Sequence, residues 1–326
     1  MALLFKAHTA GHIKWGNMFY RDNWFTWQHD NGPLYGPKLS KDAEFKCAIK
    51  NVITRPVKSY YEELLENARI IRDTFPGELD LLFSGGIDSE VILRIYLDLK
   101  IPINVYVFKY ANDHNIHDYT HAIKTCQSLN VTPKVIDLDL EKFFENEAYD
   151  ILQKCHATGP GWLPHMKMTE YTDGTPIIGS GEAYFRRTSR DMNQKYSWVF
   201  ELDEAPHHWA VYHKTIGRTV ITDWYEYSPE LIVAYTKLPY VQKLLNDDVD
   251  GKLDNVSSKS IIHQEYWPDL PNRMKLVGFE GITPNKEKLF PPFMIEFGKA
   301  HIWNPYKAPV KQTWSVSDVL RTLGDQ

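Results

Sequence analysis

From residue 60 onward the chain alternates between two hydrophobic periods. Tyr61, Leu64, Leu65, Ala68 and Phe75 recur at helical spacing and Pro76-Gly77 closes the stretch, which predicts a helix over 60–75. An apolar run predicts a strand over 79–83, and Val91, Ile92, Leu93, Ile95, Tyr96, Leu97 and Leu99 predict a helix over 88–99. The succession repeats as strand 103–108, helix 117–129, strand 134–138 and helix 141–155. Apolar strands that alternate with helices predict an α/β fold, a parallel sheet with helices on both faces. Before this core, aromatic and polar residues alternate around the turn signal Asp30-Asn31-Gly32-Pro33, so residues 1–57 are expected to form a small β-rich segment.

After the core the pattern weakens. Residues 156–175, rich in Gly, Pro and Thr, predict an irregular loop, and Pro176, Ile177 and Ile178 begin another apolar run, broken by the small-residue turn Gly179, Ser180 and Gly181. Residues 195–226 mix aromatic and charged residues without a period. Ser228 followed by Pro229 and Glu230 reads as a helix start, which makes the C-terminal part helical. Residues 284–326 return to Pro-rich, loop-like sequence and end in a short helix, Val316–Leu323. The expected division is 1–57, 58–283 and 284–326.

Composition narrows the class without naming a function. Of 326 residues, 43% are apolar, enough for a substantial core, and the net charge of −5 gives no global attraction to nucleic acid. The three cysteines, Cys47, Cys126 and Cys155, form no CxxC pair, which speaks for a reducing compartment and against a zinc ribbon or disulfide frame. Cys126 and Cys155 are expected to be buried structural thiols rather than sulfur carriers. No apolar stretch approaches the roughly 20 residues needed to span a bilayer. A cytoplasmic protein without a membrane partner is expected. His207, His208 and His213 invite a metal reading, but adjacent residues do not share a face, so surface or pocket-rim positions are expected.

The chemistry concentrates where the first core strand meets its helix. Residues 83–89 read Phe83, Ser84, Gly85, Gly86, Ile87, Asp88, Ser89. Glycines let backbone N–H groups approach an anion, the helix aims its positive end at the same place, and two hydroxyls add donors. Asp88 can hold a divalent cation against phosphates. The pattern describes a phosphate cradle.

The loop resembles the pyrophosphate loop of the N-type ATP pyrophosphatase (PP-loop) superfamily, whose fold is adenine nucleotide alpha hydrolase-like. Gly179-Ser180-Gly181-Glu182 resembles the Ser-Gly-Glu signature of the asparagine-synthetase group. Tyr227–Ile232, Leu238-Pro239 and the stretch containing Lys259, Asp269, Leu270, Pro271, Arg273 and Lys275 resemble later segments of the same group, in the same order over roughly 58–283. The resemblance implies an enzyme that cleaves ATP between its α and β phosphates, with Mg2+, to adenylate a substrate oxygen. It implies Asp88 and Glu182 as acids positioning magnesium or substrate, and Lys259 as the cation at the tetrahedral intermediate. Ser84, Gly85, Gly86, Ser89, Ser180, Gly181 and Lys275 would bind the nucleotide, and the backbone near Phe83 and Val107 would frame adenine. Plainer roles compete for three of these: Asp88 as a helix cap, and Glu182 and Lys259 as solvated surface groups.

The chain departs from that group in two ways. Ala2 stands where glutamine-dependent members carry a nucleophilic cysteine, and 83 residues precede Ser84, so no such glutaminase is expected. The nitrogen donor would be ammonia or an amine. After Glu182 the group continues with acids, whereas this chain has Ala183, Tyr184, Phe185, Arg186 and Arg187, which favours an anionic or phosphate-bearing substrate over aspartate. Three readings stand: a small-molecule carbon–nitrogen ligase, a nucleotide- or base-modifying enzyme with a nucleic-acid partner, and a non-catalytic ATP or AMP binder on the same fold.

Overall fold

The computed structural model describes residues 25–29, 45–49, 53, 55–148, 150–151, 163–179, 185–187, 198–203, 209, 212–213, 216–222, 224–246, 261–270 and 311–323. In the first 57 residues, β1 (Phe25–His29) pairs antiparallel with β2 (Phe45–Ile49). The core follows as α1 (Tyr60–Thr74), β3 (Leu79–Leu82), α2 (Ile87–Asp98), β4 (Asn104–Tyr110), α3 (Ile116–Ser128), β5 (Lys134–Leu138) and α4 (Leu140–Asn146). Within 156–175, expected as a loop, lies the helix α5 (Leu163–Thr169). Its Leu163, Met166 and Met168 are buried, an apolar set too short to declare a period against the surrounding Gly and Pro. Then come β6 (Thr175–Ile178), β7 (Phe185–Arg187), β8 (Trp198–Asp203), α6 (Pro229–Thr236) and α7 (Pro239–Asn246). β9 (Lys311–Ser315) and α8 (Val316–Leu323) close the sequence of elements. β9 was not legible in the Pro-rich tail, because its pairing partner is β8, more than 100 residues earlier.

All pairings in the main sheet are parallel, in the order β5-β4-β3-β6. Period-two alternation splits its side chains between two cores. Leu81, Phe83, Val105, Val107 and Ile177 enter one core with α1, α2, α6 and the Ala122 and Cys126 face of α3. Leu82, Tyr106, Phe108, Tyr110 and Leu138 enter the other with α4 and α5. Helices therefore cover both faces, as the apolar strands require. Beyond β6, Ile221 bridges Ile177 in parallel, with Ile178 N–H bonded to Ile221 O at 2.8 Å, so residues 220–222 run along the outer edge of β6.

The first helix shows how local and tertiary signals agree. Ser59 and Glu62 form a reciprocal capping box, and Leu64, Ala68 and Ile71 are fully buried. The same face carries Glu63, also fully buried, which takes a bidentate Arg55 guanidinium at 2.6 and 2.7 Å and the Lys58 N–H at 2.8 Å. Cys126 is a buried, free thiol whose pKa burial pushes up to about 11. Cys155, His207 and His208 lie outside the described residues.

His213 corrects the expectation of a surface histidine: it is fully buried. Its ring stacks on Trp209 at 5.8 Å, Nδ1 lies 2.9 Å from Trp209 O, and Nε2 lies 2.8 Å from Thr169 Oγ1. A carbonyl only accepts, so the proton of the neutral ring sits on Nδ1. Burial, helped by the nearby Arg218, lowers its pKa from 6.5 to about 4. Because the folded value is the lower one, this residue's contribution is complete above pH 6.5 and is lost as pH falls to about 4, an effect of roughly 3 kcal/mol. Urea unfolding across pH 7 to 4 should show that loss in the wild-type protein and a flatter profile in His213→Gln. Equal slopes in the two proteins would assign the acid sensitivity elsewhere.

Candidate functional site

The loop after β3 occupies the carboxyl end of a central strand of the parallel sheet, beside the point where β4 and β6 leave β3 in opposite directions. In open parallel sheets this crevice is where ligands bind. Phe83 is buried and its N–H is spent on Tyr106 O at 2.8 Å, so the chain stays in the sheet for one residue beyond β3. Gly85 then adopts φ +70°, a left-handed conformation that side chains disfavour, and a Cβ there would lie 3.0 Å from the Ala122 nitrogen of α3. Gly86 is the N-cap of α2 in an extended conformation and supplies no capping side chain. The positive end of α2 thus opens onto the crevice.

The two serines close a small ring of hydrogen bonds. Gly86 N–H donates to Ser84 Oγ at 3.3 Å, Ser84 and Ser89 hydroxyls meet at 3.3 Å, and Ser89 Oγ donates to Gly86 O at 3.0 Å. Ser89 has one proton and gives it to the carbonyl, so Ser84 is the donor between them. At 3.3 Å the amide bond to Ser84 and the bond between the hydroxyls are both long, so an arriving anion can redirect these groups at small cost. Ser84 is exposed and Ser89 buried, which places one hydroxyl at the rim and one at the floor.

Two acids lie in the first turn of α2, and their surroundings separate their roles. Glu90 is buried and bound by Arg94, whose Nε and Nη2 reach Oε1 at 3.0 and 2.8 Å. Arg94 also takes Asp269 through two bonds of 2.9 and 3.0 Å, which holds the Asp269 carboxyl below its ordinary pKa. Asp88 is half-buried, and its main-chain carbonyl accepts the Tyr225 hydroxyl at 2.9 Å. Asp80, fully buried near the opposite end of β3, bonds Asn104 Nδ2 and Gly174 N–H and is a structural acid.

Gly179, directly after β6, is the last described residue of the crevice wall on this side. A Cβ there would stand 3.1 Å from the Ser89 nitrogen, so the end of β6 presses against the first turn of α2. The structure therefore brings together Ser84, Gly85, Gly86, Asp88, Ser89 and Gly179. Val107 sits in β4 opposite Val135 of β5, with its side chain in the core, so its contribution to a ligand would come from the backbone. Ser180, Gly181, Glu182, Lys259, Arg273 and Lys275 lie outside the described residues. Arg186 and Arg187 fall on β7, paired with β8 at Val199 and Trp198. Sequence reasoning missed Tyr225 and Arg94. Tyr225 stood in a stretch without a period, and Arg94 is an interior polar residue of a helix that is apolar almost all round.

The gathered groups fit a triphosphate with a divalent cation: an uncapped helix N-terminus, a glycine backbone without side-chain obstruction, two hydroxyls and one carboxylate beside them. No helix among the described residues is long and apolar enough to cross a membrane.

No protein-family model matches the chain. The tRNA(Ile)-lysidine synthase of Francisella tularensis subsp. holarctica is 23% identical over 217 residues, covering 61% of this chain and 49% of that protein. The protein of the same name from Francisella tularensis subsp. novicida gives the same identity and coverage. The chain thus spans about half the length of the curated relatives it matches. Among solved structures, the NH3-dependent NAD synthetase of Campylobacter jejuni aligns with 70% of this chain and 92% of its own, at 13% identity and a TM-score of 0.30. The NMN synthetase of Francisella tularensis aligns with 77% and 96%, at 11% identity and a TM-score of 0.31. These superpositions are loose, and the sheet order and the loop carry the argument instead.

Proposed function

We propose that this member of the PP-loop ATP pyrophosphatase superfamily is an ATP-dependent ligase that adenylates a substrate oxygen, releases pyrophosphate and joins carbon to nitrogen when an amine displaces AMP. The observation that carries the reading is the cradle at 84–89, set against α2 and Gly179 at the carboxyl edge of the sheet. Its groups address a departing polyanion: amides of the first turn and the Ser84 and Ser89 hydroxyls stabilise charge as pyrophosphate leaves. When bound, Mg2+ would neutralise phosphate charge, with Asp88 as its protein ligand here and Glu182 a second candidate. Glu90 is unsuited to that task because Arg94 already holds it. Ser180, Gly181 and Lys275 are proposed nucleotide contacts, and Lys259 a stabiliser of the intermediate, on the resemblance to the asparagine-synthetase group.

Two acceptors follow from different observations. A carboxylate acceptor, with ammonia or a small amine as nitrogen donor, follows from that resemblance. A base carbonyl on a nucleic acid follows from the curated relatives, whose name places lysidine in an isoleucine tRNA. The arginines at 186 and 187 suit the phosphates of such a partner.

One assay separates the readings. The protein is incubated with ATP and Mg2+ and with amino acids, amines, free nucleotides or tRNA, and pyrophosphate and AMP are measured. Release that depends on a carboxylate plus an amine supports the first acceptor, and release that depends on tRNA supports the second. AMP binding without pyrophosphate release under every condition would overturn the ligase and leave a nucleotide-binding protein.

A further inference from the structure

The peptide group linking Asp88 to Ser89 is bonded at its oxygen and closely approached at its nitrogen. On the nitrogen side, the backbone of Gly179 approaches so closely that a Cβ would lie 3.1 Å from the Ser89 nitrogen. On the oxygen side, the Tyr225 hydroxyl donates to Asp88 O at 2.9 Å. Tyr225 comes from the 3₁₀ turn Trp224–Glu226, which follows the segment running along β6. That turn is itself fixed from within: Trp224 and Tyr225 are buried, and Asn67 of α1 donates to Trp224 O at 2.7 Å. The phenol is therefore delivered by a rigid support rather than by a loose loop.

Asp88 O lies in the first turn of α2, where a helical carbonyl already accepts from the amide four residues on. Tyr225 uses the second lone pair. A donor on a peptide oxygen withdraws electron density through the amide and strengthens the N–H on the other side as a donor. That N–H belongs to Ser89, the innermost residue of the cradle, at the positive end of a 12-residue helix.

We infer that Tyr225 is a positioning residue of the phosphate cradle: its hydroxyl fixes and polarises the Asp88–Ser89 peptide, so that the Ser89 amide meets a pyrophosphate group in the orientation that binds it. The inference rests on the reading of 84–89 as a pyrophosphate site.

Tyr225→Phe removes the hydroxyl and keeps the ring against Trp224 and His263. Titration calorimetry with inorganic pyrophosphate and Mg2+ should give an unchanged stoichiometry and a dissociation constant raised about 3- to 10-fold, the scale of one buried hydrogen bond. The KM for ATP should rise with it, while the KM for the acceptor stays within twofold; a purely structural lesion would instead lower the stoichiometry. In the wild-type protein, the Ser89 amide resonance should move on pyrophosphate addition, a measurement that needs no variant. An unchanged dissociation constant in Tyr225→Phe, or a Ser89 amide indifferent to pyrophosphate that binds, overturns the role of Tyr225 and leaves the cradle standing. Absence of pyrophosphate binding by the wild-type protein overturns the cradle and this inference with it.

Discussion

Asp88→Ala should lower pyrophosphate release from ATP by on the order of 10²- to 10³-fold, the range seen when a preorganised electrostatic group is removed from a reaction centre. The fold should hardly notice. Asp88 is half-buried, and the favourable charge it places at a positive helix end is worth about 0.3–1 kcal/mol. Position explains the asymmetry between site and fold: the carboxylate stands beside the uncapped first turn, where a triphosphate without a counter-cation would repel it. Asp88→Asn makes the sharper comparison, since it keeps shape and one acceptor oxygen and discards the charge. Turnover within threefold of wild type in both variants, measured at saturating Mg2+, would remove Asp88 from the chemistry.

Gly85→Ala is expected to cost both stability and nucleotide binding. A non-glycine residue at φ +70° pays about 1–2 kcal/mol for the left-handed conformation. Its methyl would also stand 3.0 Å from backbone of Ala122, so either α3 or the loop must shift, adding roughly 1–3 kcal/mol of overpacking. The displaced loop is the cradle, so the KM for ATP should rise at least about tenfold, equivalent to 1.4 kcal/mol. Gly77→Ala is the control: it has open space around its Cβ position, and it should be neutral or stabilising by a few tenths of a kcal/mol. Urea unfolding and ATP kinetics on the two variants test the contrast; equal behaviour would show that the loop tolerates a side chain.

The sequence made the core legible for a physical reason. β3 and β4 are buried on both faces or nearly so, β5 is a half-exposed edge strand that still carries Val135, Ile136 and Leu138, and the helices between them carry periodic apolar stripes, so each element declares itself locally. The loop at 84–89 was legible because its requirements are local too: a left-handed residue, an uncapped helix and hydroxyls at fixed offsets. What escaped depended on partners distant in sequence. Tyr225 acquires its role from Asp88, 137 residues earlier, and Arg94 from Asp269, 175 residues later. His213 read as a surface residue because it was judged together with the adjacent pair His207 and His208, yet Trp209 and Thr169 enclose it. β9 needed β8 to exist as a strand. α5 was hidden by the Gly and Pro around it.

The ring of hydrogen bonds through Gly86, Ser84 and Ser89 gives the loop a resting state that is complete in itself. The ring engages the two hydroxyls and leaves the uncapped first turn of α2 facing the crevice, so the site is shaped in advance of the anion it is built for. Nucleotide then acts by mass action on an already formed site, and its stabilising effect should follow RT ln(1 + [L]/Kd), about 2.7 kcal/mol at a hundredfold excess over Kd. A change that keeps the ring but removes a charge, such as Asp88→Asn, should then alter this ligand-dependent gain more than the stability of the free protein.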